Sequence, residues 1–341
     1  MAAYTSIDNP ELYFQTKLYT GTGSEIAATL DGDENMQPNL VWIKARTDAE
    51  SHKLYDSVRG ATKHLETDTN DVEATEAQGL KSFDSDGFTI GTYSSINASS
   101  SHTYVAWCWK EASEIFDIIT YSGTGSNIDL SHNLSAVPGF FAIKNIDVDQ
   151  AWRVYHKNMT TANPYSNRMV FSETGAQSTS ALGLDADPTS SVINIGTDTG
   201  CTNASGENFV CYAWKEIQGY SKFGKFTGNG NASGTFVHTG FRPAWVICKR
   251  TDSTGSWYIC DNKRLGFNAR PNNSVVGNPE LAAQSNRSEA GGNTNVMDIF
   301  SNGFKLIQSG AEINASGGTF IYMAYAEQPF VNSNGVPANA R

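Results

Sequence analysis

The chain has 341 residues, of which 39% are hydrophobic and 11% aromatic, enough apolar surface for packed cores and too much for global disorder. A formal net charge of −11, with Lys and Arg scattered, opposes binding to a phosphate backbone, so nucleic acid is not an expected partner. No apolar run reaches the ~20 residues that span a bilayer, and residues 1–10 lack the basic and apolar parts of a signal peptide, so no membrane insertion is expected.

Charged residues make up only 17%, against 31 Gly and many Ser, Thr and Asn. That balance suits short strands joined by tight turns, and it predicts an all-β fold. In chain order, residues 1–18 form a leading arm with one apolar cluster, Leu12-Tyr-Phe14. The turn Tyr19-Thr-Gly-Thr-Gly23 follows and returns about a hundred residues later as Tyr121-Ser-Gly-Thr-Gly125, and again as Phe226-Thr-Gly-Asn-Gly230. Each turn precedes a proline set six residues before a lysine: Pro38 and Lys44, Pro138 and Lys144, Pro243 and Lys249. The apolar run between them reads as a strand buried on both faces, with the proline marking its start. Equivalent middle strands lie at His52 to Arg59, Trp152 to His156 and Trp257 to Arg264. Asp86-Gly-Phe88 and Asn302-Gly-Phe304 are hairpin turns, matched in the second copy by Ile193-Asn-Ile-Gly196. Asn-Ala-Ser then leads into a closing strand that ends at Trp109, Trp214 or Ala326. In these strands small residues (Ala106, Cys108; Cys211, Ala213; Ala324) share one face and larger ones the other. Polar loops at 61–79 and 272–295 separate strands, and one helical turn is expected near 279–284.

Self-similarity at a fixed period indicates a repeat architecture. The expectation is three tandem jelly-roll or concanavalin-like β-sandwich repeats of ~105 residues, at 19–111, 116–217 and 220–330, with a tail at 331–341. The joints are too short for flexible tethers, so three rigidly joined domains in a row, each with its own core, are predicted. Five cysteines with no CxxC pair read as reduced thiols, with Cys108 and Cys211 in matching core positions.

No metalloprotease, serine-hydrolase, nucleotide-binding or zinc-ligand motif is present. The Gly-x-Gly turns at Gly21, Gly123 and Gly228 lack the following helix that a phosphate site needs, and read as hairpin turns. The dispersed histidines suit exposed or strand-pairing roles, while Asp84 with Asp86 and Asp185 with Asp187 suit turn caps. The expectation is a protein that is not an enzyme, with no catalytic residues, cofactor or metal. Trp152 and Trp257 stand where the first copy has His52, and a position that varies in bulk suggests exposure. These three are the candidate glycan contacts.

Tyr19-Thr-Gly-Thr-Gly-Ser24, Leu40-Val-Trp-Ile-Lys44, Asp56-Ser-Val-Arg-Gly60, Tyr104-Val-Ala-Trp-Cys-Trp-Lys110 and Gly219-Tyr-Ser-Lys-Phe-Gly224 resemble a repeat family of marine and environmental bacteriophage tail and virion proteins. Gly240-Phe-Arg-Pro-Ala-Trp-Val246 and Tyr322-Met-Ala-Tyr-Ala-Glu-Gln-Pro-Phe330 extend the likeness, which covers residues 13–330. The resemblance implies concanavalin-like, lectin-like sandwiches on the virion surface, assembled in the host bacterial cytoplasm. The expected function is a structural, adhesive appendage: a tail fibre, a tail tip or a capsid decoration. The alternatives are a host-glycan receptor binder and a polysaccharide depolymerase. The partners so implied are other virion proteins, engaged through Leu12, Tyr13 and Phe14, a host cell-surface glycan, and further copies of the chain.

Overall fold

A computed structural model describes residues 4–159, 164–178, 183–265, 280–289 and 296–337. The chain enters through a turn of 3-10 helix at Pro10–Leu12. Nine strands follow in the first hundred or so residues: β1 (Phe14–Thr20), β2 (Ile26–Ala28), β3 (Leu40–Ala45), β4 (Lys53–Asp56), β5 (Lys63–Leu65), β6 (Ala74–Thr75), β7 (Leu80–Asp84), β8 (Gly87–Ile90) and β9 (Thr103–Trp109). The second stretch holds β10 (Phe116–Ser122), β11 (Ile128–Ser131), β12 (Phe140–Asn145), β13 (Arg153–His156), β14 (Val192–Ile195) and β15 (Asn208–Trp214). The third holds β16 (Ser221–Thr227), β17 (Phe236–His238), β18 (Phe241–Arg250), β19 (Tyr258–Asp261), β20 (Leu281–Ala282), β21 (Met297–Phe300), β22 (Gly303–Leu306) and β23 (Thr319–Pro329).

These strands form antiparallel sheets in three pairs. The larger sheets run β1-β9-β3-β4-β5-β6, β10-β15-β12-β13 and β16-β23-β18-β19-β20, so each begins with the same succession of first, last, middle and return strand. The smaller sheets are β2-β8-β7, β11-β14 and β17-β22-β21. The fold is therefore all-β and sandwich-like. The first strand of the chain starts at Phe14, ahead of the boundary at residue 19 that the glycine turn suggested. Residues 281–282, expected in a helical turn, are a strand paired with β19, and residue 279 lies outside the described residues.

Side-chain alternation decides what each face of the larger sheets meets. In β9 the small residues Ala106 and Cys108 join Val41, Ile43, Phe88 and Ile90 beneath the smaller sheet. Cys211 and Ala213 do the same in the second pair, and Cys248, Cys260 and Ala324 in the third. The bulky residues of the opposite faces, including Trp42, Trp107, Trp109, Tyr212, Trp214, Trp245, Met323 and Tyr325, all meet in one common core. Trp109 lies 5.5 Å from Trp245 and 6.1 Å from Trp214, and Phe171 lies 5.0 Å from Trp257, as ring centroids. Rigidly joined domains in a row, each with its own core, were expected. Each sheet pair has a core of its own, and in addition the three pairs turn their aromatic faces toward one another, because each of those faces is too apolar to leave in water.

The recurrent turns have a common physical basis. A Cβ added at Gly21, Gly123 or Gly228 would sit 2.2, 2.1 or 2.3 Å from the carbonyl oxygen of Ala98, Ala204 or Ala315, so only glycine fits. The Asn of each Asn-Ala-Ser segment is buried and accepts a backbone N–H from the turn: Asn97 from Thr22, Asn203 from Thr124, Asn314 from Asn229.

Candidate functional site

The side chains that the sequence marks out for binding lie along the seams between the three sheet pairs. Each pair contributes one loop, at 66–73, 170–177 and 282–289, which clasps the next. In the first loop, Glu66 O accepts from Trp152 Nε1 at 2.7 Å, Asn70 O from Lys144 Nζ at 3.1 Å, and Glu73 N donates to Ile146 O. In the second, Val170 O accepts from Trp257 Nε1 at 2.8 Å, Thr174 O from Lys249 Nζ at 3.2 Å, and Gln177 N donates to Thr251 O. The third loop returns to the first pair: Ala282 O faces His52 Nε2 at 3.0 Å, and Glu289 N donates to Arg46 O. The ring of contacts thus closes.

His52, Trp152 and Trp257 each stand one residue before a strand, β4, β13 and β19, but all three are buried and none presents a face to a glycan. The position varies in bulk because what it supplies is a ring N–H aimed at a neighbour's carbonyl, and indole and imidazole both provide one. A second set of contacts crosses the same three seams. Tyr212 Oη donates to Asp56 Oδ2 at 2.6 Å, Trp107 Nε1 to Asp261 Oδ2 at 2.9 Å, and His156 Nε2 to Tyr322 O at 3.0 Å. Arg59 and Arg264, three residues beyond their aspartates, pair with them at 2.5 Å. His52 and His156, expected to be exposed or strand-pairing, are therefore seam groups.

The electrostatics follow from burial. Desolvation, with Lys44 and Arg264 nearby, pushes the His52 imidazole well down, and desolvation lowers His156 to about 4. Lys44, Lys144 and Lys249 are lowered to about 8 by the same cause, their ammonium groups held by backbone carbonyls. The sequence singled out these lysines only as strand markers. Their invariant place after an apolar run was the signal of a buried role.

The expected attachment cluster is divided. Phe14 is buried against Trp109 and Tyr325, Tyr13 packs edge-on to Tyr220, and Leu12 is 36% exposed. Ile7, upstream, also enters the common core. An acidic cleft of about 330 Å³ lies where the two ends of the chain meet, lined by Asp8, Glu11, Asp33 and Glu327 among others. Among the described residues no three His, Cys, Asp or Glu side chains are placed to hold a metal, and no helix is long and apolar enough to cross a membrane.

One aromatic pair does face solvent. Phe236 on β17 and Phe300 on β21 are 45% and 37% exposed, with ring centroids 6.0 Å apart, on the outer face of the third small sheet. His238 and Lys305 share that face by register. The first pair has Ala27 and Asp84 where the third has Phe236 and Phe300, and Asp129 and Asn194 lie opposite each other in the small sheet of the second. Neither phenylalanine stands in a recurrent motif of the sequence. The alternation in Phe236-Val-His238 and Met297-Asp-Ile-Phe300 was the available signal.

No curated protein matches this chain. A family model matches residues 9–329, nearly its whole length, and the chain belongs to that family, described as a domain of unknown function (DUF7483).

Proposed function

We propose that the chain is a non-enzymatic structural protein displayed on the surface of a phage particle, built from three copies of one jelly-roll or concanavalin-like unit. The observation that carries this reading is the closed ring of seam contacts through His52, Trp152 and Trp257. It spends the buried chemistry-bearing side chains on rigidity and leaves loops and outer sheet faces for contact. A rigid block of this kind suits a tail fibre, a tail tip or a capsid decoration, and the motif resemblance points the same way. Of the three residues first assigned to attachment, Leu12 is the one left for a neighbouring virion protein. Quantitative mass spectrometry of purified particles tests the proposal. A few copies per particle support a tail appendage and hundreds a capsid decoration. Absence from particles overturns it.

A second reading, a host-glycan receptor binder, is favoured by the Phe236–Phe300 pair, since an exposed aromatic face beside polar groups is what a sugar ring stacks on. In this reading the contact moves from Trp152, Trp257 and His52 to the third small sheet. Glycan-array binding by the wild-type chain, lost in the Phe236→Ala, Phe300→Ala double variant, is the expected result. No binding by the wild-type chain at high micromolar concentration sinks this reading.

A further inference from the structure

The two imidazoles at the seams share a property that the indoles lack. Trp42 Nε1 donates to His52 Nδ1 at 2.8 Å, which fixes that nitrogen as acceptor and leaves Nε2–H to donate to Ala282 O across the seam. At His156 the backbone N–H of Asn158 donates to Nδ1 at 3.0 Å, and Nε2 donates to Tyr322 O. A proton added to either ring must go on Nδ1, where it would face another donor. Both contacts also end on the third sheet pair, Ala282 in β20 and Tyr322 in β23. Among the described residues, the seam between the first and second pairs carries Trp152 with Glu66 O and Tyr212 with Asp56 instead, and no imidazole contact.

We propose that His52 and His156 form an acid-sensitive latch, whose protonation loosens the third sheet pair from the other two while the first and second stay joined. The surroundings favour this. Lys44 on β3 and Arg264 oppose a positive charge on His52, and the Asp68 carboxylate is already engaged by the His52 backbone N–H. Trp107 covers the ring, and the Ala282 and Ser285 backbones face it. His156 meets Phe140, Phe223, Lys157 and Glu216, and Glu216 is paired with Lys157 at 2.7 Å. Both rings are driven below their ordinary value. The folded chain therefore binds fewer protons than the opened one, and closure weakens as pH falls below ~6.5. Each imidazole can shift the closing equilibrium up to about tenfold per pH unit, the two together up to about a hundredfold. The Arg46–Glu289 pair and the Trp107–Asp261 bond stay on the same seam and set the extent of opening.

Hydrogen exchange read by mass spectrometry on the full chain, between about pH 7 and about pH 4.5 and corrected for intrinsic rates, tests the latch. Acid should deprotect β18, β19 and β23 before β12 and β15, with a rise in binding of an apolar dye as the common core opens. The His52→Gln, His156→Gln double variant keeps an N–H near each Nε2 and cannot titrate, so its opening should move to lower pH by about a unit or more. Simultaneous loss of protection in all three pairs of the wild-type chain overturns the latch. So does an unchanged midpoint in the folded double variant. Should that variant not fold, the order of deprotection in the wild type still decides.

Discussion

Replacing Trp245 by alanine tests whether the three sheet pairs share one core. The indole is buried and lies 5.5 to 6.5 Å, centroid to centroid, from Trp109, Trp107, Trp42 and Phe14 of the first pair, and 5.9 Å from Tyr325 of its own. A buried indole removes roughly 200 Å² from water, which at about 25 cal/mol per Å² is ~5 kcal/mol. Its Nε1 has no hydrogen-bond partner among the described residues, so no polar term is added. A void of about 20 Å³ already lies among Trp42, Trp109, Trp214 and Trp245, and the rigid rings around it leave little room for collapse. The loss expected is therefore about 3–5 kcal/mol. The assay is native-state hydrogen exchange, followed strand by strand. At neutral pH, where both seam imidazoles are uncharged and the third pair is held closed, a shared core predicts that amides of β9 and β15 speed up along with those of β18 and β23, by about two to four powers of ten. If β18 and β23 exchange faster while β9 and β15 keep their protection, the pairs are energetically independent and the reasoning fails.

Trp152→Phe keeps most of the packing but leaves Glu66 O without its indole donor, and should lower stability by about 1–3 kcal/mol in denaturant titration. A loss within a few tenths of a kcal/mol would mean that this bond contributes nothing. Asn203→Ala deprives Thr124 N and Gly196 O of their partner and Ser126 O of one of its two donors, the other being Thr124 Oγ1, and a loss of about 2–4 kcal/mol is expected from the same titration. Lys249, at about 8, binds its proton less tightly than the unfolded chain does near 10.4, so its contribution to stability rises with pH between those values. The stability of the wild type relative to Lys249→Met should grow by about 1.4 kcal/mol per pH unit between about 8 and 10. Taking the difference cancels the opposing effect of the buried thiols, whose values burial pushes up. A flat difference would show that the ammonium is solvated.

The acid latch and the outer aromatic pair differ in how far the sequence announced them. Period-two alternation in Ala106-Trp-Cys-Trp109 showed two unlike faces, and the structure places the small face under a second sheet and the large face in the common core. The glycine turns and the Asn-Ala-Ser segments were equally legible, because their interactions are set by backbone conformation and by residues that recur in fixed order. Strand starts, turns and faces are local, and residue order and the stereochemistry of glycine, proline and alternating side chains determine them.

What His52, Trp152 and Trp257 do was decided only in three dimensions. Their partners are the carbonyl oxygens of Ala282, Glu66 and Val170, far away along the chain. A carbonyl is common to every residue and leaves no mark in the sequence, so a change from indole to imidazole looked like freedom to vary at the surface. The closed ring has the same origin. Each large aromatic face needs cover, nothing in one segment says which other segment supplies it, and the three cover one another because together they remove the most apolar surface from water.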